Sequence, residues 1–102
     1  MEGINNKSVT VGTTAVKLAD DVMPRQRAFI SIINTSTGGQ KISLSFAQDP
    51  ANGKGIVLSP GGSYSDSADG QFYFPPHFNI QAISDVAGGT VSVMERIFSR
   101  SM

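Results

Sequence analysis

The chain has 102 residues, with eight basic and eight acidic side chains, one histidine and no cysteine. Charged residues make up only 16% of the chain, below the roughly 25% of typical globular domains, and the charges are scattered. This composition excludes disulfides and thiolate chemistry. It also argues against nucleic-acid binding, which needs clustered Lys and Arg to displace counterions from phosphates.

The length and hydropathy of the chain bound its organisation. About a hundred residues suffice for one independently folding core and leave no room for two. No segment approaches the roughly 20 apolar residues of a membrane span, and residues 1–6 lack the apolar stretch of a secretory signal. We therefore expect one soluble domain, without membrane association, that is made in the cytoplasm.

The first elements are short and polar. Residues 1–7 predict an N-terminal arm. Ser8–Val11 alternates between polar and apolar residues and predicts a strand, and after a turn at Gly12–Thr14 the segment Ala15–Leu18 predicts another. No window of the chain repeats its apolar residues at helical spacing without an interrupting Gly or Pro, so we expect no long helix.

The strand predicted from Arg27 to Ile33 is apolar on both of its faces. Its alternation places Ala28, Ile30 and Ile32 on one face and Phe29 and Ile33 on the other. Strands that are covered on both sides lose their polar alternation. The second face therefore needs a cover, which is either a loop or neighbouring strand of the same chain, or another subunit.

The rest of the chain continues in strand-length segments. Lys41–Phe46 has one clean apolar face, Gly55–Leu58 and Gly62–Ser65 form a hairpin, Phe78–Ala82 alternates, and Thr90–Ile97 is the last strand. Eight or so short strands at this spacing predict an all-β fold, a single antiparallel β-sandwich of jelly-roll type. We place the sandwich at residues 8–97, between the arm and a C-terminal tail at 98–102.

The sequence offers little for catalysis or for metal binding. His77 is the only histidine, so a His-His or His-Cys metal site is impossible and a catalytic triad would depend on this one residue. In its Phe-Pro-Pro-His-Phe context it reads better as a turn histidine packed on aromatic rings. Asp66–Gly70 lacks the ligand spacing and the closing Glu of a calcium loop and predicts a polar hairpin tip. We predict no catalytic, cofactor or metal site.

Apolar residues outside the predicted core suggest contact surfaces. The cluster Phe72–Phe74 with Phe78 closes one end of the core with Tyr73 outward, or contacts a subunit, or forms a platform for a sugar. The apolar tail either reaches a neighbour or folds back. Our candidate interface residues are Ile4, Phe29, Ile33, Phe72, Tyr73, Phe74, Ile97, Phe98 and Met102.

Four motifs carry a family resemblance. They are the opening pair Val9–Val11 and Thr14–Leu18, the strand R-A-F-I-S-I-I-N-T from Arg27, the L-S-P-G-G hairpin after Val57, and the G-G-T-V final strand from Gly88. Over residues 8–95 this order resembles the small β-rich structural proteins of tailed bacteriophages, such as head decoration (cement) proteins and fibre-base modules.

The resemblance implies a non-enzymatic part of the virion, commonly a homotrimer, that binds the major capsid protein on the outer surface of the head. It carries over no catalytic residue and no cofactor. Two alternatives remain: a vertex or tail-fibre module, and a carbohydrate-binding module for host attachment. The latter, which we regard as the weaker, requires exposed Tyr64, Tyr73 or His77 in a concave patch.

Overall fold

The computed structural model describes residues 3–98 as eight strands without an α-helix. The strands are β1 (Gly3–Val11), β2 (Val16–Ala19), β3 (Arg27–Asn34), β4 (Ile42–Phe46), β5 (Ile56–Leu58), β6 (Ser63–Ser67), β7 (Ile80–Ser84) and β8 (Gly89–Ile97). It follows that no helix in this range is long and apolar enough to cross a bilayer.

The strands form two four-stranded antiparallel sheets, which confirms the predicted sandwich. One sheet has the order β1-β8-β3-β6 and the other β2-β7-β4-β5. Consecutive strands β1 and β2 lie in different sheets, and the first and last strands pair with each other. This is the double Greek-key order of a jelly roll.

The core lies between the sheets and follows the alternation of the sequence. In β8 the inward residues Val91 and Val93 are buried, whereas the intervening Ser92 and Met94 are exposed. Ile32 of β3 pairs with Val93, so the two side chains share the inner face. The other buried apolar residues of the cluster are Val11, Leu18, Ala19, Ile30, Ile42, Leu44, Leu58, Ile80, Ala82 and Val91.

The boundary of the first strand differs from the prediction. β1 begins at Gly3 rather than Ser8, and residues 3–7, predicted as an arm, pair with β8 from Gly3–Ile97 to Lys7–Val93. Residues 3–8 are exposed on both faces, so no apolar alternation marks this part of the strand. Its register is set by the backbone ladder to β8. Residues 1–2 and 99–102 lie outside the described range.

Gly55 permits a close backbone approach between β5 and β4. It has a φ of 77°, and a Cβ placed there would lie 2.4 Å from the carbonyl oxygen of Leu44. Gly53 has nearly the same φ, 79°, but a Cβ there would meet nothing within 4 Å. The two glycines therefore share a backbone requirement and differ only in the steric one.

We predict that Gly53→Ala and Gly55→Ala lower the free energy of unfolding by clearly different amounts. Gly53→Ala should cost about 1–2 kcal/mol, the strain of a left-handed backbone in an L-residue. Gly55→Ala should cost more, because its Cβ displaces the β4 backbone. Urea denaturation of both variants measures this difference, and equal losses would contradict it.

Candidate interaction surface

Most of the predicted interface residues meet at one end of the sandwich. Here β1 begins, β8 ends, and loops 20–26 and 68–79 pass close by: Val22 N donates to the His77 carbonyl at 2.8 Å, and Phe98 N donates to the Gln26 carbonyl at 2.7 Å. We call this end the aromatic end. It holds seven of the candidates: Ile4, Phe29, Phe72, Tyr73, Phe74, Ile97 and Phe98. Ile33 lies further along β3, opposite Ser92 and Ser63, and Met102 lies outside the described residues.

Exposed apolar side chains concentrate at this end. Among the described residues, nine large hydrophobic side chains are exposed, and six of them lie here or on the adjoining sheet face: Ile4, Met23, Phe72, Tyr73, Phe78 and Met94. Phe72 is 87% exposed, the most of the nine. Concentrated apolar surface of this kind marks an interaction site more often than scattered single residues do.

An apolar groove runs beside the aromatic end on the outer face of the sheet that contains β1 and β8. The register places Ile4, Arg96 and Phe29 side by side on this face. Together with Met94 and Phe98 they line a groove of about 540 Å³, and residues 68–70 form its opposite wall. Loop 68–70 thus partly covers Phe29, while Ile33 stays exposed on the same face. Both covers expected for the second face of β3 therefore remain relevant.

Loop 68–73 holds Phe72 in a defined position. One carboxylate oxygen of Asp69 accepts hydrogen bonds from the backbone N–H groups of Gln71, Phe72 and Tyr73 at 2.8, 2.8 and 2.9 Å. The bond from the Tyr73 N–H is the largest of the effects that hold the pKa of Asp69 below its usual value. The Tyr73 hydroxyl donates to Asp66, and this bond raises the pKa of Tyr73 to about 12. The loop is ordered by its own polar groups.

The aromatic cluster differs from the core closure that the sequence allowed. Phe72 and Phe78 are exposed, so neither closes the core. Phe74 is partly buried and meets Phe98 edge to face, with 6.2 Å between the ring centroids. Phe98 therefore folds back onto its own domain, where it forms part of the groove.

Cations lie over both rings of this pair. The guanidinium of Arg25 lies 5.3 Å from the centre of the Phe74 ring, and that of Arg96 lies 5.6 Å from Phe98. Such contacts are favourable because the ring face carries the negative end of the aromatic quadrupole. They place positive charge beside the apolar groove.

The residues proposed for a sugar site are separated. Tyr64 packs against the core and meets Phe46 edge to face at 5.8 Å. The His77 ring stacks on Phe78 with 4.3 Å between centroids, as expected for a turn histidine. In the described range no group of three or more His, Cys, Asp or Glu side chains is placed to hold a metal ion.

Sequence analysis missed a buried ion pair beneath the aromatic end. Arg27 is fully buried, and its Nε donates to Glu95 at 2.7 Å. The same guanidinium donates to the carbonyls of Pro76, Phe78 and Asp20, at 2.5, 3.0 and 2.9 Å. It thereby ties both loops of the aromatic end to the sandwich. The inward alternation of Val91, Val93 and Glu95 was the available signal for the buried acid.

Comparison with known proteins supports the fold. No protein-family model and no curated protein matches the chain. A chain from the Bacillus endospore appendages, described as a novel family of disulfide-linked pili, superposes with a TM-score of 0.68 at 17% sequence identity. The superposition covers 99% of this chain and 88% of that one. At this identity the likeness is one of fold.

A second similar structure lies further away. The NLP core of Drosophila, described in relation to pentamer formation and histone binding, has a TM-score of 0.43 and 11% identity. The alignment covers 99% of this chain and all of that one. A similarity at this level carries no functional information.

Proposed function

We propose that this chain is a non-enzymatic structural protein that acts by binding other protein surfaces through its aromatic end. The observation that carries the proposal is the gathering there of six of the nine exposed large apolar side chains in the described range. Interface centres are rich in aromatic residues and Met and poor in charge. The sparse charge of the whole chain fits the same role.

Within this class, we propose a capsid decoration protein on the outer surface of a phage head, with the major capsid protein as its partner. The order of sequence motifs supports this assignment, as does a small β-sandwich that presents apolar residues at one end. Many copies on a symmetric shell can each bind weakly, because contacts between neighbouring copies make later binding events effectively intramolecular. A vertex or tail-fibre position is the variant of this proposal that differs only in location.

Binding to phage heads tests the decoration role directly. Heads assembled from the major capsid protein of the same genome, without this chain, would be mixed with the purified protein and sedimented. We expect saturable binding at a fixed ratio to capsid protein. The double change Met23→Ser and Phe78→Ser at the aromatic end should remove most of it, whereas Val86→Ser, an exposed apolar residue at the opposite end, should not. No binding to the heads, or equal binding by both variants, would contradict the decoration role.

A surface filament subunit is the second candidate function. It is favoured by the likeness in fold to the Bacillus appendage chain. The disulfide links named for those pili have no counterpart here, because the 102 residues contain no cysteine. Filaments of this protein would therefore depend on non-covalent contacts. Electron microscopy of the concentrated protein distinguishes filaments from discrete particles.

A further inference from the structure

We propose that two copies of this chain associate reciprocally, with Phe72 of each copy inserted into the groove beside the aromatic end of the other. This inference rests on the proposed structural role and deepens it by naming the surface and the partner. The occupant of the groove is a second copy. Four features of the described residues support this choice.

The first feature is a rigid apolar projection. Phe72 is 87% exposed, although the loop that carries it is fixed by three hydrogen bonds to Asp69. The Ala68 N–H donates to the Ala28 carbonyl at 2.8 Å, and the Asp69 N–H donates to the Tyr73 carbonyl at 3.2 Å, so both ends of the loop are tied down. A preorganised anchor loses little conformational entropy when it binds. Exposed aromatic side chains of this kind act as interface hot spots.

The second feature is a groove of matching chemistry. Ile4, Phe29, Met94 and Phe98 give it an apolar lining, and its volume of about 540 Å³ is ample for an aromatic ring. Methionine adapts its shape to an inserted ring and makes favourable sulfur–aromatic contacts. The groove therefore suits an aromatic side chain better than a polar ligand.

The third feature is adjacency. Gly70 lies in the wall of the groove, and Phe72 follows it by two residues in the same loop. Projection and groove thus belong to one patch of surface. A patch that contains both halves of a contact is self-complementary, which is the requirement of a two-fold symmetric interface.

The fourth feature is charge. Residues 66–73, which carry the projection, include two carboxylates, Asp66 and Asp69, and no basic side chain. The groove that receives it is lined on the side of β8 by Arg96. In a reciprocal pair the acidic loop of each copy approaches the basic wall of the other. Complementary charge of this kind fixes the register of association.

Sedimentation velocity over a concentration series up to the millimolar range tests the association. We expect the wild-type chain to self-associate reversibly. Phe72→Ser and Ile4→Asp should each weaken the association constant by about 30-fold, a loss typical of a removed interface anchor. An equimolar mixture of the two variants should associate more tightly than either alone, because the mixed pair keeps one intact contact. Val86→Ser, which changes an exposed apolar residue at the opposite end, should associate like the wild type.

Disulfide mapping identifies the surface independently, since the chain contains no cysteine of its own. Chains carrying Phe72→Cys are mixed with chains carrying Met94→Cys, or with Val57→Cys as the control. Met94 and Val57 are matched in exposure, at 45% and 42%, but Val57 lies in the other sheet. We expect the first pair to cross-link much faster.

A chain that stays monomeric at every concentration would overturn the inference, as would association that Phe72→Ser leaves unchanged or equal cross-linking with Met94→Cys and Val57→Cys. Thermal denaturation of each variant shows that it is folded. Binding to phage heads is measured separately, so loss of self-association and loss of the decoration role are distinguishable results.

Discussion

Arg27→Met is expected to lower the free energy of unfolding by about 3–5 kcal/mol, the usual loss when one partner of a buried ion pair is removed. The substitution leaves the Glu95 carboxylate buried without its cation. It also removes the donor to the carbonyls of Pro76, Phe78 and Asp20. Urea denaturation at neutral pH measures the loss.

Two controls separate the ion pair from the shape of the side chain. Arg25→Met makes the same chemical change at an exposed site and should cost less than about 1 kcal/mol, the range of an exposed cation–π contact. Arg27→Met combined with Glu95→Met should recover part of the stability, because no charge is left unpaired in the core. Recovery stays incomplete since three carbonyls still lack their donor. A double variant as unstable as the sum of both single changes would contradict this account.

The same arginine links stability to the interaction surface. Its bonds to loops 20–26 and 68–79 stabilise the positions of both loops at the aromatic end. In the Arg27→Met variant we therefore expect hydrogen exchange to rise first in these loops. The opposite end of the sandwich should keep its protection.

The reversal of Arg27 explains why sequence reasoning missed the pair. Strict alternation along β3 puts Arg27 on the outer face with Phe29 and Ile33. The structure contains a register shift between Arg27 and Phe29 in the pairing with β8, and Arg27 and Ala28 are both buried. An irregularity of this kind adds a residue to one strand and changes the face to which a side chain points. The sequence carries no turn residue there that would signal it.

The fold was readable because the strands with a buried face alternate. β3, β4, β7 and β8 each combine an apolar inner set with turn residues at their ends, which sets both their existence and their length. The first half of β1 was not readable, because both of its faces are exposed and its pairing with β8 depends on backbone groups. The pattern of side chains has no access to that ladder.

The groove was predictable only in its parts. Ile4, Phe29 and Phe98 were each singled out as apolar residues without a place in the core, but Met94 was not. What brings them together is the register of β1, β8 and β3, which joins positions more than sixty residues apart in the chain. The projection of Phe72 depends on the turn that Asp69 forms with three backbone N–H groups. Local sequence suggested a polar hairpin tip there, without indicating which neighbouring ring it would expose.

The opposite end of the sandwich depends on a second buried polar residue. Asn34 is fully buried, and its side-chain amide donates to the carbonyls of Gln40 and Leu58, both at 2.8 Å. Its side-chain oxygen accepts from the Ser36 N–H at 2.9 Å. One side chain thus joins the β3–β4 connection to the end of β5, where the L-S-P-G-G hairpin begins.

Asn34→Leu is expected to cost roughly 3 kcal/mol or more, because it leaves three buried backbone groups without partners at about 1–3 kcal/mol each. Asn34→Asp should be destabilising in a pH-dependent way. The introduced carboxylate would face two carbonyl oxygens, which favours its protonated form and raises its pKa in the folded state above the unfolded value. Stability of this variant should therefore be highest at acidic pH and fall as the pH rises from about 4 to 7.

Asn52→Asp, the same change in an exposed turn, is the matched control and should leave the pH dependence of the wild type unaltered. Urea denaturation of both variants at several pH values measures the difference between them. A flat profile for Asn34→Asp would mean that water or local rearrangement satisfies the introduced charge. In that case the buried amide is not what holds the two connections together.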